Sequence, residues 1–212
     1  MKEYHKIETP FNRAEDGTKK LIEGSWRNET VEMLKDVRWR WTEKVDGTNI
    51  RVNWDGHKVT FGGRTDRAQI PADLVNWLNE KFGTSEAEEL FEQKFGENEV
   101  TLYGEGYGRK IQGVGSLYIP DGVSFILFDV TVGETFLKWD GVCDVATAFG
   151  IDVVPVAGTG TLEEAVAYIK TKPQSLINEA APMEGVVCRP VIDVFDRMHR
   201  RVIVKVKVHD FA

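Results

Sequence analysis

Apolar and polar positions along this chain alternate with two different periods, and the switches between them mark out strands and helices. From Arg38 to Thr42 the run RWRWT alternates at period two, as a half-buried strand does. Asn49 to Trp54 and Lys58 to Phe61 flank Asp55-Gly56, a dipeptide suited to a tight hairpin. Residues 71–82 place Leu74, Val75, Leu78 and Phe82 on one helical face, with Pro71 near the start and Gly83 behind the end. A second helix is predicted from Ser85 to Phe95, opened by Ser85 and Glu88 at capping-box spacing and acidic on its outer face. Strand patterns return at Val100 to Tyr103 and Ser124 to Val130. A helix then carries Val142, Val145, Ala146 and Phe149 inward before Gly150. Another begins at the capping box Thr161/Glu164, buries Leu162, Ala165, Val166 and Ile169, and ends before Pro173. The last strands are Gly185 to Arg189 and Val202 to Val208. In the latter, Val204, Val206 and Val208 share one face and Lys205 and Lys207 the other. The pattern is mixed α+β. No internal repeat, low-complexity tract or Pro/Ser-rich linker interrupts it, so one domain over residues 1–212 is expected.

Composition narrows the classes. With 212 residues, 42% of them hydrophobic, the chain has the material for a substantial core. The opening MKEYHKIETP is polar and lacks the apolar stretch of a secretory signal. The most apolar stretch, Val123 to Val130, is broken by Ser124 and Asp129 and falls far short of the roughly 20 residues that cross a membrane. A soluble, cytoplasmic protein with no membrane partner is expected. Cys143 and Cys188 show no CxxC spacing and read as reduced thiols. His5, His57, His199 and His209 show no metal-ligand spacing either. A net charge of -7 argues against non-specific nucleic-acid binding. The charge is uneven, however: acids crowd Glu86 to Glu99, while bases gather at Arg38/Arg40, Arg64/Arg67, Arg109/Lys110 and from Arg197 to Lys207. Such a dipolar surface can still hold a polyanion.

Candidate chemistry centres on TEKVDGTNIRV, residues 42–52. A lysine two residues before Asp-Gly is by itself an ordinary turn. Here it is followed in order by YGEGYG (103–108), FILFDV (125–130), MEGVVCRP (183–190) and VIVKVKV (202–208), each on or beside a predicted strand. In that order the set resembles motifs I, III, IIIa, IV and V of the covalent nucleotidyltransferases, the superfamily of ATP- or NAD-dependent ligases and capping enzymes. Glu43 directly before Lys44, Asn49 five residues after it and Arg64 twenty residues after it are similar to the phage RNA ligase 2-like branch of ATP-dependent RNA ligases. DNA ligases usually carry arginine where Asn49 stands, and Arg51 is displaced from that position. The resemblance implies an ATP-grasp-like adenylation domain with central antiparallel sheets flanked by helices. No OB-fold is expected after motif V, because the chain closes five residues beyond Lys207.

The resemblance also implies roles. Lys44 would attack the α-phosphorus of ATP, which an ammonium at its ordinary pKa of about 10.4 cannot do unless neighbouring cations, desolvation or a metal favour the free amine. Lys205 and Lys207 would neutralise the ATP phosphates and the departing pyrophosphate. Asp46 and Glu184 would hold hydrated magnesium, or manganese, with Asn49 assisting through water. Glu105 would bind the ribose, its flanking Gly104 and Gly106 letting the nucleotide approach the backbone. Phe128 would stack on adenine, Glu43 would accept its amino group, and Arg64 would engage the RNA end. The partners would then be 5'-phosphate and 3'-hydroxyl ends of RNA, joined in RNA repair. A minimal DNA ligase, a capping-type guanylyltransferase and a non-catalytic nucleotide- or RNA-binding module are the rival expectations.

Overall fold

In the computed structural model, which describes residues 2–211, the chain lays its first few residues in one compact unit, begins a second, returns to build the first, and then finishes the second. Lys6–Val45 with the stretch from Pro155 onward make the flanking unit; the residues up to His5 with Asp46–Val154 make the inserted unit. The flanking unit opens with β1 (Phe11–Arg13), β2 (Leu21–Trp26), α1 (Glu29–Met33) and β3 (Trp39–Lys44). The inserted unit runs through β4 (Thr48–Trp54), β5 (Val59–Gly62), α2 (Ala72–Phe82), α3 (Ser85–Phe95), β6 (Val100–Gly108), α4 (Gly115–Tyr118), β7 (Val123–Val132), β8 (Thr135–Phe136), α5 (Trp139–Phe149) and β9 (Asp152–Val153). The chain then completes the flanking unit with β10 (Val156–Gly160), α6 (Leu162–Lys170), β11 (Gly185–Pro190) and β12 (Val204–Lys207). No helix is long and apolar enough to cross a membrane, among the described residues.

In the inserted unit the strands lie in the order β5-β4-β6-β7-β8, with β9 parallel to β7 and every other pair antiparallel. The period-two pattern of β4 sends Ile50, Val52 and Trp54 into a core shared with Leu74, Leu78 and Phe82 of α2, Phe91 of α3 and the apolar face of α5. Its opposite face carries Asn49, Arg51 and Asn53. In the flanking unit the antiparallel order is β10-β3-β11-β12. Trp39 and Trp41 pack there with Leu162, Ala165, Val166 and Ile169 of α6 and with Val186, Cys188, Val204 and Val206. Alternation therefore gives the other sheet face to Arg40, Lys44, Arg189, Lys205 and Lys207.

The structure differs from the pattern in several places. The N-cap of α3 is Thr84, whose hydroxyl accepts from Ala87 N–H, not Ser85. The Glu88 carboxylate instead accepts from Val59 N–H at 3.1 Å, tying the helix to β5. The final strand spans Val204–Lys207 rather than Val202 to Val208. β6 continues through the glycine-rich motif as far as Gly108. A Cβ on Gly104 would collide with the Phe125 ring, and one on Gly106 with Leu74. Core packing therefore demands these two glycines. The capping box on α6 forms as expected: Thr161 Oγ1 accepts from Glu164 N–H and Glu164 Oε2 from Thr161 N–H.

Candidate active site

Three strand ends meet in the flanking unit. Antiparallel register sets Gly185 opposite Lys44 on one side and opposite Lys207 on the other. A side chain at 185 would strike the Val206 carbonyl oxygen, so glycine lets the three strands close up at this row. Glu184, just before it, reaches both neighbours. Its Oε2 lies 2.5 Å from Lys44 Nζ and its Oε1 2.6 Å from Lys207 Nζ. The side chains retain 16%, 25% and 22% exposure for Glu184, Lys44 and Lys207, so the ions are only partly hydrated and attract strongly. Burial pushes the Glu184 carboxyl up, but the Lys44 charge and hydrogen bonds from Lys207 and Lys44 outweigh it and hold the group below its ordinary value. Lys205 stands two residues earlier on the same face, opposite Val187.

Glu43, next to Lys44, points the other way and is almost wholly buried, 1% exposed. Its Oε2 accepts from Leu176 N–H at 2.8 Å, while its buried Oε1 accepts no hydrogen bond. Burial drives this carboxyl above its ordinary value, against the lowering effect of Ser175 and the Leu176 amide.

The other expected residues lie in the inserted unit. Asn49 on β4 is directly opposite Glu105 on β6, and its buried Oδ1 also accepts no hydrogen bond. Gly47 packs where a Cβ would overlap the Gly106 carbonyl oxygen and sit 2.9 Å from Glu105 Cγ, so the lysine motif's glycine touches the glutamate's strand. Tyr118 Oη approaches Asp46 N–H at 3.4 Å and Gln112 Nε2 donates to the Gly47 carbonyl at 3.0 Å, fixing the turn that carries Asp46. Between β6 and β7 the register shifts: Tyr103 faces Asp129 but Gly104 faces Leu127, leaving Phe128 as the extra residue of a β-bulge. Leu127 and Val130 enter the core, and Phe128 and Asp129 both turn to the polar face. There Tyr4 meets Phe128 edge-on at 5.1 Å and donates its hydroxyl to Asp129 Oδ2 at 2.6 Å. Arg64 is exposed on the segment after β5, which is held by Arg51. Sequence pattern missed the Tyr4–Asp129 bond and the Arg51 anchor because both join residues whose pairing only the fold creates.

As for metals, Asp46 and Asn49 in the inserted unit and Glu184 in the flanking unit each carry oxygen donors of the hard kind that magnesium prefers, and the buried Asn49 Oδ1 has no hydrogen-bond donor. Among the described residues no group of three or more His, Cys, Asp or Glu side chains gathers as a cage. Such a cage is not what magnesium usually needs, since water and phosphate complete its shell.

Residues 37–207, which include every candidate named above except Tyr4, match the family model for RNA ligase. The chain belongs to the RNA ligase family. Solved structures similar to this family member include an RNA ligase of Naegleria gruberi in several forms. A point mutant with ATP and Mn is 19% identical, with a TM-score of 0.67 over 98% of this chain and 56% of that one. A mutant without ligand gives 19% and 0.64 over 95% and 55%, and the protein with PPi gives 20% and 0.63 over 84% and 51%. This chain thus spans about half the length of those relatives, and at such identity the likeness is one of fold. No curated protein is a significant sequence match.

Proposed function

We propose that the chain is an ATP-dependent RNA ligase whose two units form one nucleotidyltransferase domain acting in the cytoplasm. What carries this function is the pairing of two strand-end ammonium groups, Lys44 and Lys207, on the single carboxylate of Glu184. A lone surface lysine has no such arrangement. Glu184 holds the Lys44 side chain in place, and the proton that Lys44 sheds before it acts as a nucleophile passes to solvent.

The chemistry then has three steps. The Lys44 amine attacks the α-phosphorus of ATP, a P–N bond forms, and pyrophosphate leaves with its charge met by Lys205 and Lys207. A 5'-phosphate oxygen displaces the amine, so AMP passes to the RNA end and Lys44 regains its lone pair. A 3'-hydroxyl attacks the activated 5'-phosphorus, loses its proton and releases AMP. Asp46 and Glu184 are the carboxylates suited to hold magnesium or manganese, with Asn49 reaching it through water; the ion supplies charge neutralisation on the phosphates when bound. Glu43 Oε1, buried and without a donor, suits the adenine amino group, while Phe128 offers its ring to the base and Glu105 its carboxylate to the ribose. Arg64 meets the RNA end. The presence of ATP with Mn, AMP with Mn, and PPi in the solved Naegleria gruberi structures supports the same cofactors here.

The test is incubation of wild type and Lys44→Ala with α-labelled ATP and magnesium, followed by denaturing electrophoresis. Label is expected on the wild type alone. Reversible ATP binding without retained label would mean a non-catalytic module, and label from GTP instead a capping-type enzyme. Nicked duplexes with RNA or DNA on the 3'-hydroxyl side then decide the substrate: equal sealing of all-DNA nicks would overturn the RNA preference.

A further inference from the structure

Arg51 has no part in the three steps above, yet its side chain is fully buried. Removing a guanidinium from water is costly, and an apolar residue of similar volume often gives an equally stable fold. Its bonds indicate a task. Nε donates to the Gly63 carbonyl oxygen at 2.7 Å, and Nη2 to Asp66 Oδ1 at 2.9 Å. In register Arg51 lies opposite Gly62, the last residue of β5, so the guanidinium reaches just past the strand end into GRTDRA, residues 63–68. That segment has no ladder of its own. It is closed by Ala68 N–H on the Thr65 carbonyl at 3.1 Å and by a contact so tight that a Cβ on Gly63 would stand 2.7 Å from Ala68 Cβ. Arg64 and Thr65 fall between the two anchors. The Asp66 side chain is 74% exposed while that of Arg51 is 0% exposed, so a cation fixed in the sheet holds a surface loop from beneath. A planar fork fixes two donor directions at once, which the single ammonium of lysine does not.

We infer that Arg51 is a positioning residue: it clamps the loop on both sides of Arg64 and so presents that guanidinium to the terminal phosphate of an RNA strand. That Arg64 meets the RNA end is taken from the ligase reading, on which this inference rests; that the group it meets is the 5'-phosphate belongs to the inference. An ordered loop binds without having to be immobilised by the ligand, and the gain appears as affinity.

The experiment uses the full chain and measures the Kd of a fluorescent 5'-phosphorylated RNA oligonucleotide for wild type, Asp66→Ala, Arg64→Ala and the double variant. A 5'-hydroxyl oligonucleotide and ATP labelling of Lys44 are run in parallel. Asp66 is exposed, so its replacement does not threaten folding. Each single change is expected to weaken binding of the phosphorylated end about tenfold, with the double variant no worse than either, since both act through one contact. Asp66→Glu should recover most of the affinity, and the 5'-hydroxyl strand should bind all variants alike. A wild-type Kd for Asp66→Ala, a hundredfold loss in the double variant or an equal loss for the 5'-hydroxyl strand would each overturn the clamp, as would a wild type that does not bind the oligonucleotide. Coupling without retained label would uphold the clamp and sink the ligase reading; label without coupling would do the reverse.

Discussion

Two neighbouring glutamates respond to acid in opposite senses, because one faces cations and the other faces the protein interior. Glu184 is held below its ordinary value of 4.5, so its contribution to stability is complete above that value and fades as pH falls through the folded one. Glu184→Gln should remove this acid dependence and cost about 1–2 kcal/mol at pH 7, as two ammonium groups lose their shared partner. Thermal melts from pH 3 to 7 check both the size and the slope. Glu43 is raised above its ordinary value by burial, so its ionised form is the strained one. The cost is present at neutral pH and relieved as pH falls through the raised value. Glu43→Gln is therefore expected to raise Tm at pH 7 and to weaken the preference for ATP over GTP in Lys44 labelling. A lower Tm would show that the carboxylate has charge partners beyond Ser175 and Leu176.

Among the elements, β6 and β7 show how far period-two reading goes. The pattern places strands at Val100 to Tyr103 and Ser124 to Val130, and strands form there, but one extra residue in β7 moves Phe128 out of phase and onto the polar face. A bulge leaves no mark in a hydropathy pattern, because it is defined by the partner strand's register. The glycines of β6 carry a related lesson. Gly106→Ala drives a methyl into Leu74 and should cost about 1–3 kcal/mol. Gly113, with nothing within 4 Å of its would-be Cβ, should accept alanine with a change within about 0.5 kcal/mol. Urea unfolding of the two variants distinguishes packing from general glycine flexibility. The five-residue α1 and the two-residue β8 and β9 were not legible because they are shorter than the period needed to recognise them.

At the scale of the whole molecule, all the buried residues of the inserted unit's core lie between Ile50 and Phe149, within the stretch Asp46–Val154. A fragment of residues 46–154 is expected to fold cooperatively alone, by circular dichroism and a sigmoidal urea curve. Residues 1–45 alone should not, since β3 would lack β10 and β11 on both sides. The sequence by itself determined the strand-helix alternation, the amphipathic helices that bear the cores with the capping box of α6, and the order of the motifs around Lys44, because periodicity and spacing are local. It also marked Glu184 and Lys207 as candidates, about 140 and 160 positions further along. Only the tertiary structure decided that Gly185 sits between Lys44 and Lys207, that Phe128 leaves the core and that Arg51 grips the Arg64 loop. Each of these depends on which strand lies beside which, and at what register, a choice made by long-range packing and backbone hydrogen bonds.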